Sequence, residues 1–169
     1  MRGTLFVLLL AAIGLIAGCT AERPASPVSS APAHQEQDPE EQRKADERAI
    51  KAVLTLLSQG FARLDVSKLE DLWAPTATII DDNISFSSWE QYRDQHLKPE
   101  LALYSSEDSE WVIANAQMEI EGTLAWGQFH IFYAFTRLVD NQRIFGEGRG
   151  TIIFIKTSEG WKILHLHLS

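Results

Sequence analysis

The sequence predicts an α+β domain in which a curved, mostly antiparallel sheet packs on N-terminal helices. Ile50, Val53, Leu54, Leu57, Phe61 and Leu64 recur at helical spacing and give one long amphipathic helix. Residues 111–120, 123–138, 143–156 and 161–168 are β-rich and are divided by Glu121-Gly122, Asp140-Asn141 and Ser158-Glu159-Gly160, all of which are turn chemistry. Short connections between long strands mean an antiparallel meander, and helices that precede a meander mean α+β.

Asp38-Pro39-Glu40-Glu41 opens the long helix. Asp38 serves as N-cap, Pro39 fits the first helical position and Glu41 completes a capping box. Ser67 to Glu70 reads as a second capping box, opening a short helix that turns Leu69, Leu72 and Trp73 inward and stops before Pro75. Ala77 to Ile80 reads as a strand, Asp81-Asp82-Asn83 as a turn, and Ile84 to Phe86 as a short partner strand. Ser87 and Glu90 frame a third capping box, leading a third helix to about Leu103. Gly146-x-Gly148-x-Gly150 falls inside strand-forming sequence and reads as a bulge or bend, not as a nucleotide loop.

The chain has 169 residues, room for one domain of ordinary size. Lys and Arg number 15 against 23 Asp and Glu, a net charge of −8, so no basic surplus exists to neutralise phosphates and nucleic acid is not expected as a partner. The single cysteine, Cys19, excludes an internal disulfide framework and a thiolate-rich zinc site.

Arg2 precedes an apolar run from Leu5 to Ile16, broken only by Gly14. At about 12 residues the run is too short to cross a ~30 Å hydrocarbon core, and it fits a secretory h-region. It ends in Ile16-Ala17-Gly18-Cys19, which resembles the lipobox of bacterial lipoproteins. That resemblance implies a signal peptide over 1–18, cleavage after Gly18, and a Cys19 carrying diacylglycerol and a further acyl chain such as palmitate. It places the chain at the cell membrane or, because Thr20 rather than Asp follows the cysteine, the outer membrane, with the domain facing the periplasm or exterior. One acyl chain holds only marginally, whereas three hold durably. Residues 19–37 are rich in Pro, Ala and Ser and read as an extended tether, and 38–169 as the folded domain.

From about Asp46 onward the chain resembles the SnoaL-like group of the nuclear transport factor 2-like, ketosteroid isomerase-related superfamily. The likeness rests on Ala49 to Leu54, Leu64-Asp65, Leu69 to Trp73, Ala74 to Asp81 and, above all, Gly160-Trp161-Lys162-Ile163-Leu164-His165-Leu166-His167-Leu168-Ser169. The resemblance implies a cone-shaped fold enclosing a pocket, and homodimers that pair through the outer sheet face.

Alternation puts Trp161, Ile163, His165 and His167 on one face of the last strand and Leu164, Leu166 and Leu168 on the other. The histidine face either lines a polar cavity or holds structural histidines; the first reading is taken forward. Trp126 and His130 share a face in a second strand, and Arg149 and Thr151 share one in a third. Arg149 could grip a carboxylate or phenolate, or pair with Glu147 or Glu119 at the surface. The pocket candidates are therefore Trp126, His130, Arg149, His165 and His167. His165 and His167, with His130, could offer nitrogens to a metal, but spacing fixes no third ligand, so no metal is expected. No nucleotide loop, nucleophile elbow or serine triad is present, and no cofactor is expected.

Asp81 aligns, by resemblance, with the base of ketosteroid isomerase. The long helix carries no tyrosine and no buried acid partner is identifiable, so Asp81 also reads as a plain turn residue; His165 and His167 are the other candidate bases. The leading functional reading is a lipid-anchored envelope protein whose domain is a small-molecule-binding or interaction module. The alternative is an enzyme of isomerase, cyclase or hydrolase type with a His or Asp base in the cone pocket, and the sequence leaves catalysis open. Cys19→Ala should move the protein from the membrane to the soluble fraction on cell fractionation; retention in the membrane would refute lipidation.

Overall fold

The cap read from the sequence begins the fold. A computed structural model describes residues 38–169; the expected signal peptide and tether, with Cys19, lie outside the described residues. The Asp38 carboxylate accepts the Glu40 amide at 3.0 Å, and Pro39 opens α1 (Pro39–Ala62). Ile50, Leu54, Leu57 and Phe61 are buried along one side of it, as their spacing predicts. The helix closes in a Schellman arrangement, with Asp65 N donating to Gly60 O at 3.0 Å and Leu64 N to Phe61 O at 3.1 Å. Leu64 takes the left-handed conformation this requires, at φ 53°.

The expected second helix does not form. Two 3₁₀ turns, Val66–Lys68 and Glu70–Leu72, take its place. The capping box fails because both of its members are engaged elsewhere. Ser67 N and Oγ donate to Asp65 at 3.1 and 2.6 Å, while Glu70 accepts Trp89 Nε1 at 2.8 Å and Arg93 at 2.9 Å. Leu69 and Leu72 are nevertheless buried, because a 3₁₀ turn also brings residues three apart to one side. Strand β1 (Trp73–Asp81) starts at once and runs through Pro75, which falls where the pairing register shifts and no ladder bond is needed.

β2 (Ile84–Phe86) returns beside β1 across the Asp82-Asn83 turn, whose φ values are 46° and 66°. A helical stretch follows in three parts: α2 (Trp89–Tyr92), a π-helical turn (Arg93–Leu97) and α3 (Lys98–Leu101). Its cap is Ser88, one residue later than expected, with Oγ accepting Gln91 N at 3.2 Å. The wide turn ends beside Pro99, which can neither donate to the carbonyl four residues back nor tolerate it closely.

The meander then runs through β3 (Tyr104–Glu121), β4 (Leu124–Arg137), β5 (Arg143–Thr157) and β6 (Gly160–Leu168). The sheet order is β2-β1-β6-β5-β4-β3. Every pairing is antiparallel except β1 with β6, so the six-stranded sheet is mixed. β3 starts at Tyr104 rather than Trp111 and bends twice, at register shifts that include Asp108 (φ 57°) and Asn115 (φ 52°). The bends keep it against α1, where Trp111 stacks on Phe61 at 4.6 Å and its carbonyl accepts Ser58 Oγ at 2.7 Å.

Asp46 joins the helix to the far end of the sheet and is the one charged residue buried among the described residues. Its carboxylate accepts Lys156 Nζ at 2.7 Å, Trp161 Nε1 at 2.9 Å and Gln42 Nε2 at 3.2 Å. Burial pushes its pKa up, but these donors outweigh it and leave the pKa below the usual carboxylate range. The folded state therefore holds this proton less tightly than the unfolded chain. The stabilisation is complete above about pH 4 and is lost as the pH falls through the lowered folded value. Asp46→Ala should cost about 3 kcal/mol in urea denaturation at pH 7, the low end for a broken buried pair, because Lys156 keeps about a third of its side chain (32%) in solvent. A loss within experimental error would show that the clamp is dispensable.

Candidate functional site

One extra residue in β6 decides which side chains face inward. Ile163 lies opposite Phe154 and His165 opposite Ile153, so Leu164 is a bulge with no partner of its own. Trp161 and Ile163 point inward before it, Leu166 and Leu168 after it, and all four are buried. His165 and His167 consequently face outward, and the expectation that the histidine face lines the cavity is corrected. Simple alternation placed them with Trp161 and Ile163, and the bulge breaks that alternation.

The other pocket candidates share this outer face. Trp126 and His130 on β4 and Arg149 on β5 are exposed, with His130 directly across from Arg149 and Thr151 across from His167. His130, Arg149 and His167 line an open groove of about 350 Å³ together with Gln128 and Thr151. Trp126 and His165 border a neighbouring depression of about 490 Å³. His165 Nδ1 is hydrogen-bonded to Thr78 Oγ1 at 2.8 Å, and burial, with the nearby His167, pushes its pKa down. Among the described residues no three His, Cys, Asp or Glu side chains converge to hold a metal ion.

The inner cavity is elsewhere. It has a volume of about 230 Å³ and is walled by Phe61, Leu97, Trp111, Ile131, Phe135 and Leu168. The Gly146-x-Gly148-x-Gly150 run is not a bulge, because β4 and β5 pair without a register shift across it. Gly146 and Gly150 lie under aromatic rings, and Gly148 under the Ser169 carbonyl. A Cβ on Gly146 would stand 2.2 Å from Tyr133 Cζ, and one on Gly150 2.2 Å from Phe129 Cζ. The missing side chains let both rings lie flat on β5, and the Tyr133 ring forms part of the cavity wall.

Asp81, Tyr92, Glu100, Tyr104 and Tyr133 bring polar atoms to this cavity. Asp81 is the last residue of β1 rather than a free turn residue, and only 15% of its side chain is exposed. Its Oδ2 accepts Tyr92 OH at 2.7 Å and lies 3.4 Å from His96 Nε2. The same nitrogen lies 3.4 Å from Glu100 Oε2. Tyr92, His96 and Glu100 are four residues apart in turn, on one side of the helical stretch, and the Tyr92 and His96 rings stack at 5.5 Å.

Burial pushes the pKa of Asp81 up, and the hydrogen bond from Tyr92 and the proximity of His96 offset this only in part. Burial also raises Glu100. The Tyr92 hydroxyl is pushed well above its usual range by burial and by the Asp81 charge, so it stays a donor. Sequence reasoning named Asp81 but missed Tyr92, His96 and Glu100. Their signal was a polar stripe at i, i+4 and i+8 behind a helix cap, a pattern that also describes any solvated helix face.

Comparison with curated protein sequences finds no match. Solved structures do match. A nuclear transport factor 2-like superfamily protein from Salmonella enterica serovar Typhimurium aligns with a TM-score of 0.68 at 17% identity, covering 75% of this chain and 92% of that one. A protein provisionally assigned as a scytalone dehydratase, from Novosphingobium aromaticivorans, gives 0.68 at 13% identity, covering 76% and 86%. LinA gives 0.66 at 15% identity, covering 77% and 88%. At such identities the likeness shows the fold. The SnoaL-like domain model matches residues 50–169, from the buried side of α1 through the last strand, and the chain belongs to that family.

Proposed function

We propose that the domain binds a small molecule in the inner cavity and uses Asp81 as a general base on it, in a proton-transfer reaction of isomerase or dehydratase type. The observation that carries this reading is the state of the Asp81 carboxylate. One oxygen accepts the Tyr92 hydroxyl and lies near His96, while the side chain borders the inner cavity. A carboxylate of raised pKa is a stronger base, and a fixed one needs no reorganisation when it takes a proton. Tyr104 and Tyr133 add hydroxyls to the same cavity, of the kind that stabilise an oxyanion. A dehydratase assignment for one structural neighbour supports the reaction class. A cavity of about 230 Å³ falls below the ~300 Å³ lower end of drug-sized sites and favours a one-ring substrate over a fused polycyclic one.

The interaction reading has support of its own. Val112, Trp126, Phe132 and Phe145 are 47%, 41%, 44% and 74% exposed on the outer sheet face, more apolar surface than a solvated face needs. In our reading that face pairs two copies of the chain, and the Cys19 anchor holds the pair at the cell envelope.

Solvent deuterium uptake next to the carbonyl of one-ring ketones, followed by NMR with the full chain, tests the base. Asp81→Asn should slow the exchange by ~10²–10⁴-fold. Equal rates for the two proteins, or no uptake by any ketone of the series, would overturn the assignment. The raised pKa of Asp81 also fixes a sign. The folded state binds this proton more tightly than the unfolded chain, so wild-type stability falls as pH rises from the usual carboxylate range through the raised folded value. Asp81→Asn should therefore be the more stable protein at pH 7 and lose that advantage in acid, as urea titrations at several pH values will show.

A further inference from the structure

We infer that the inner cavity selects a ring-bearing amine in its protonated form, held by Glu100 and the aromatic wall. The inference rests on the cavity being a ligand site, as proposed above, and adds the charge class of the ligand. Asp81, Asp82 and Glu100 line the cavity, and no lysine or arginine does; the Glu147 side chain stands with Arg149 on the outer face. Arg149, the residue expected to grip an anion, stands on the outer face, in the open groove. An anionic ligand would meet these carboxylates with no lysine or arginine to offset them, in a partly desolvated space where charges interact more strongly than in water.

The wall itself favours a cation. Trp111, Tyr104, Tyr133 and Phe135 line the cavity as an aromatic wall, and an aromatic ring attracts an ammonium through its quadrupole. Tyr133 can lie there only because Gly146 has no side chain beneath it. Carboxylate attraction and ring attraction therefore act on one ligand charge with the same sign. A neutral ligand of equal shape gains neither.

The two central carboxylates differ in depth, which orients the ligand. Glu100 keeps 48% of its side chain in solvent, whereas Asp81 keeps 15%. The ammonium group belongs at Glu100, by the mouth, where it retains part of its hydration. The ring then extends inward, past Tyr104 and Trp111, and brings its carbon atoms toward Asp81. The amine is a handle, and the proton moved is a different one.

Benzylamine, benzyl alcohol and benzoate share a shape and differ in charge. Titration calorimetry with the full chain at pH 7 should give benzylamine at least tenfold tighter than benzyl alcohol, with benzoate weakest. Glu100→Gln should remove most of the amine's advantage over the alcohol. Ile144→Trp, which fills the cavity from a partly exposed position, should abolish binding of all three. Alcohol or benzoate binding as tightly as the amine, with Ile144→Trp still blocking it, would overturn the charge selection and leave the cavity site standing. Unchanged amine preference in Glu100→Gln would overturn it too. Absence of binding by all three, or binding indifferent to Ile144→Trp, would remove the cavity site and this inference with it.

Discussion

The bulge at Leu164 is the constraint on which the two faces of the sheet depend. Four large apolar side chains of β6 must reach the core, Trp161 and Ile163 on one side of the bulge and Leu166 and Leu168 on the other. Strict alternation can bury only one of these pairs. Leaving the other pair in water would forgo about 3–6 kcal/mol, at ~1.5–3 kcal/mol for each large side chain. One unpaired residue in a ladder costs less than that, so the strand slips by one position and all four go in. The histidines that follow are carried outward, not because imidazoles seek solvent but because Leu166 and Leu168, which alternate with them, cannot stay there. Leu168, brought inward by this slip, closes one wall of the cavity.

Two aspartates show how the same side chain is put to opposite uses. Asp46 receives three donors from α1, β5 and β6, which together outweigh its burial and hold the proton off. Asp81 receives one short hydrogen bond and one longer approach, and there burial wins. The first arrangement is what a structural clamp needs: the charged form is the stable one. The second leaves a carboxylate that takes up a proton more readily than usual, as the proposed base role requires. That asymmetry is expected where a group is retained for chemistry rather than for stability.

Legibility in the sequence followed how local the determining forces were. The long helix was readable because Ile50, Leu54, Leu57 and Phe61 mark one side of it and Asp38-Pro39 marks its start. The meander was readable because Gly122, Asn141 and Gly160, all at positive φ, mark its turns. Ser67 and Glu70 misled because a capping box is a local offer that distant partners can outbid; Trp89 and Arg93 took the glutamate. The glycines of β5 misled for a similar reason, since the rings they accommodate belong to β4. Asp81 was visible through family resemblance alone, and its partners were not. What makes Tyr92, His96 and Glu100 a site rather than a wet helix face is β1 ending directly beside them, a contact between segments that no periodicity encodes.

The π-helical turn explains why those three residues can act together. In a regular α-helix, side chains eight residues apart are displaced by about 80° around the axis, so Tyr92 and Glu100 would diverge. The wider turn over Arg93–Leu97 takes back much of that rotation, because each of its residues advances less around the axis. His96 lies inside this turn and is equidistant, at 3.4 Å, from the carboxylates of Asp81 and Glu100. A straight helix would leave the imidazole with one of them. The irregularity thus links the buried carboxylate to the one near the mouth. It lies where Pro99 denies the helix its next regular bond, so a residue that does not itself line the cavity bears on the spacing of the groups that do.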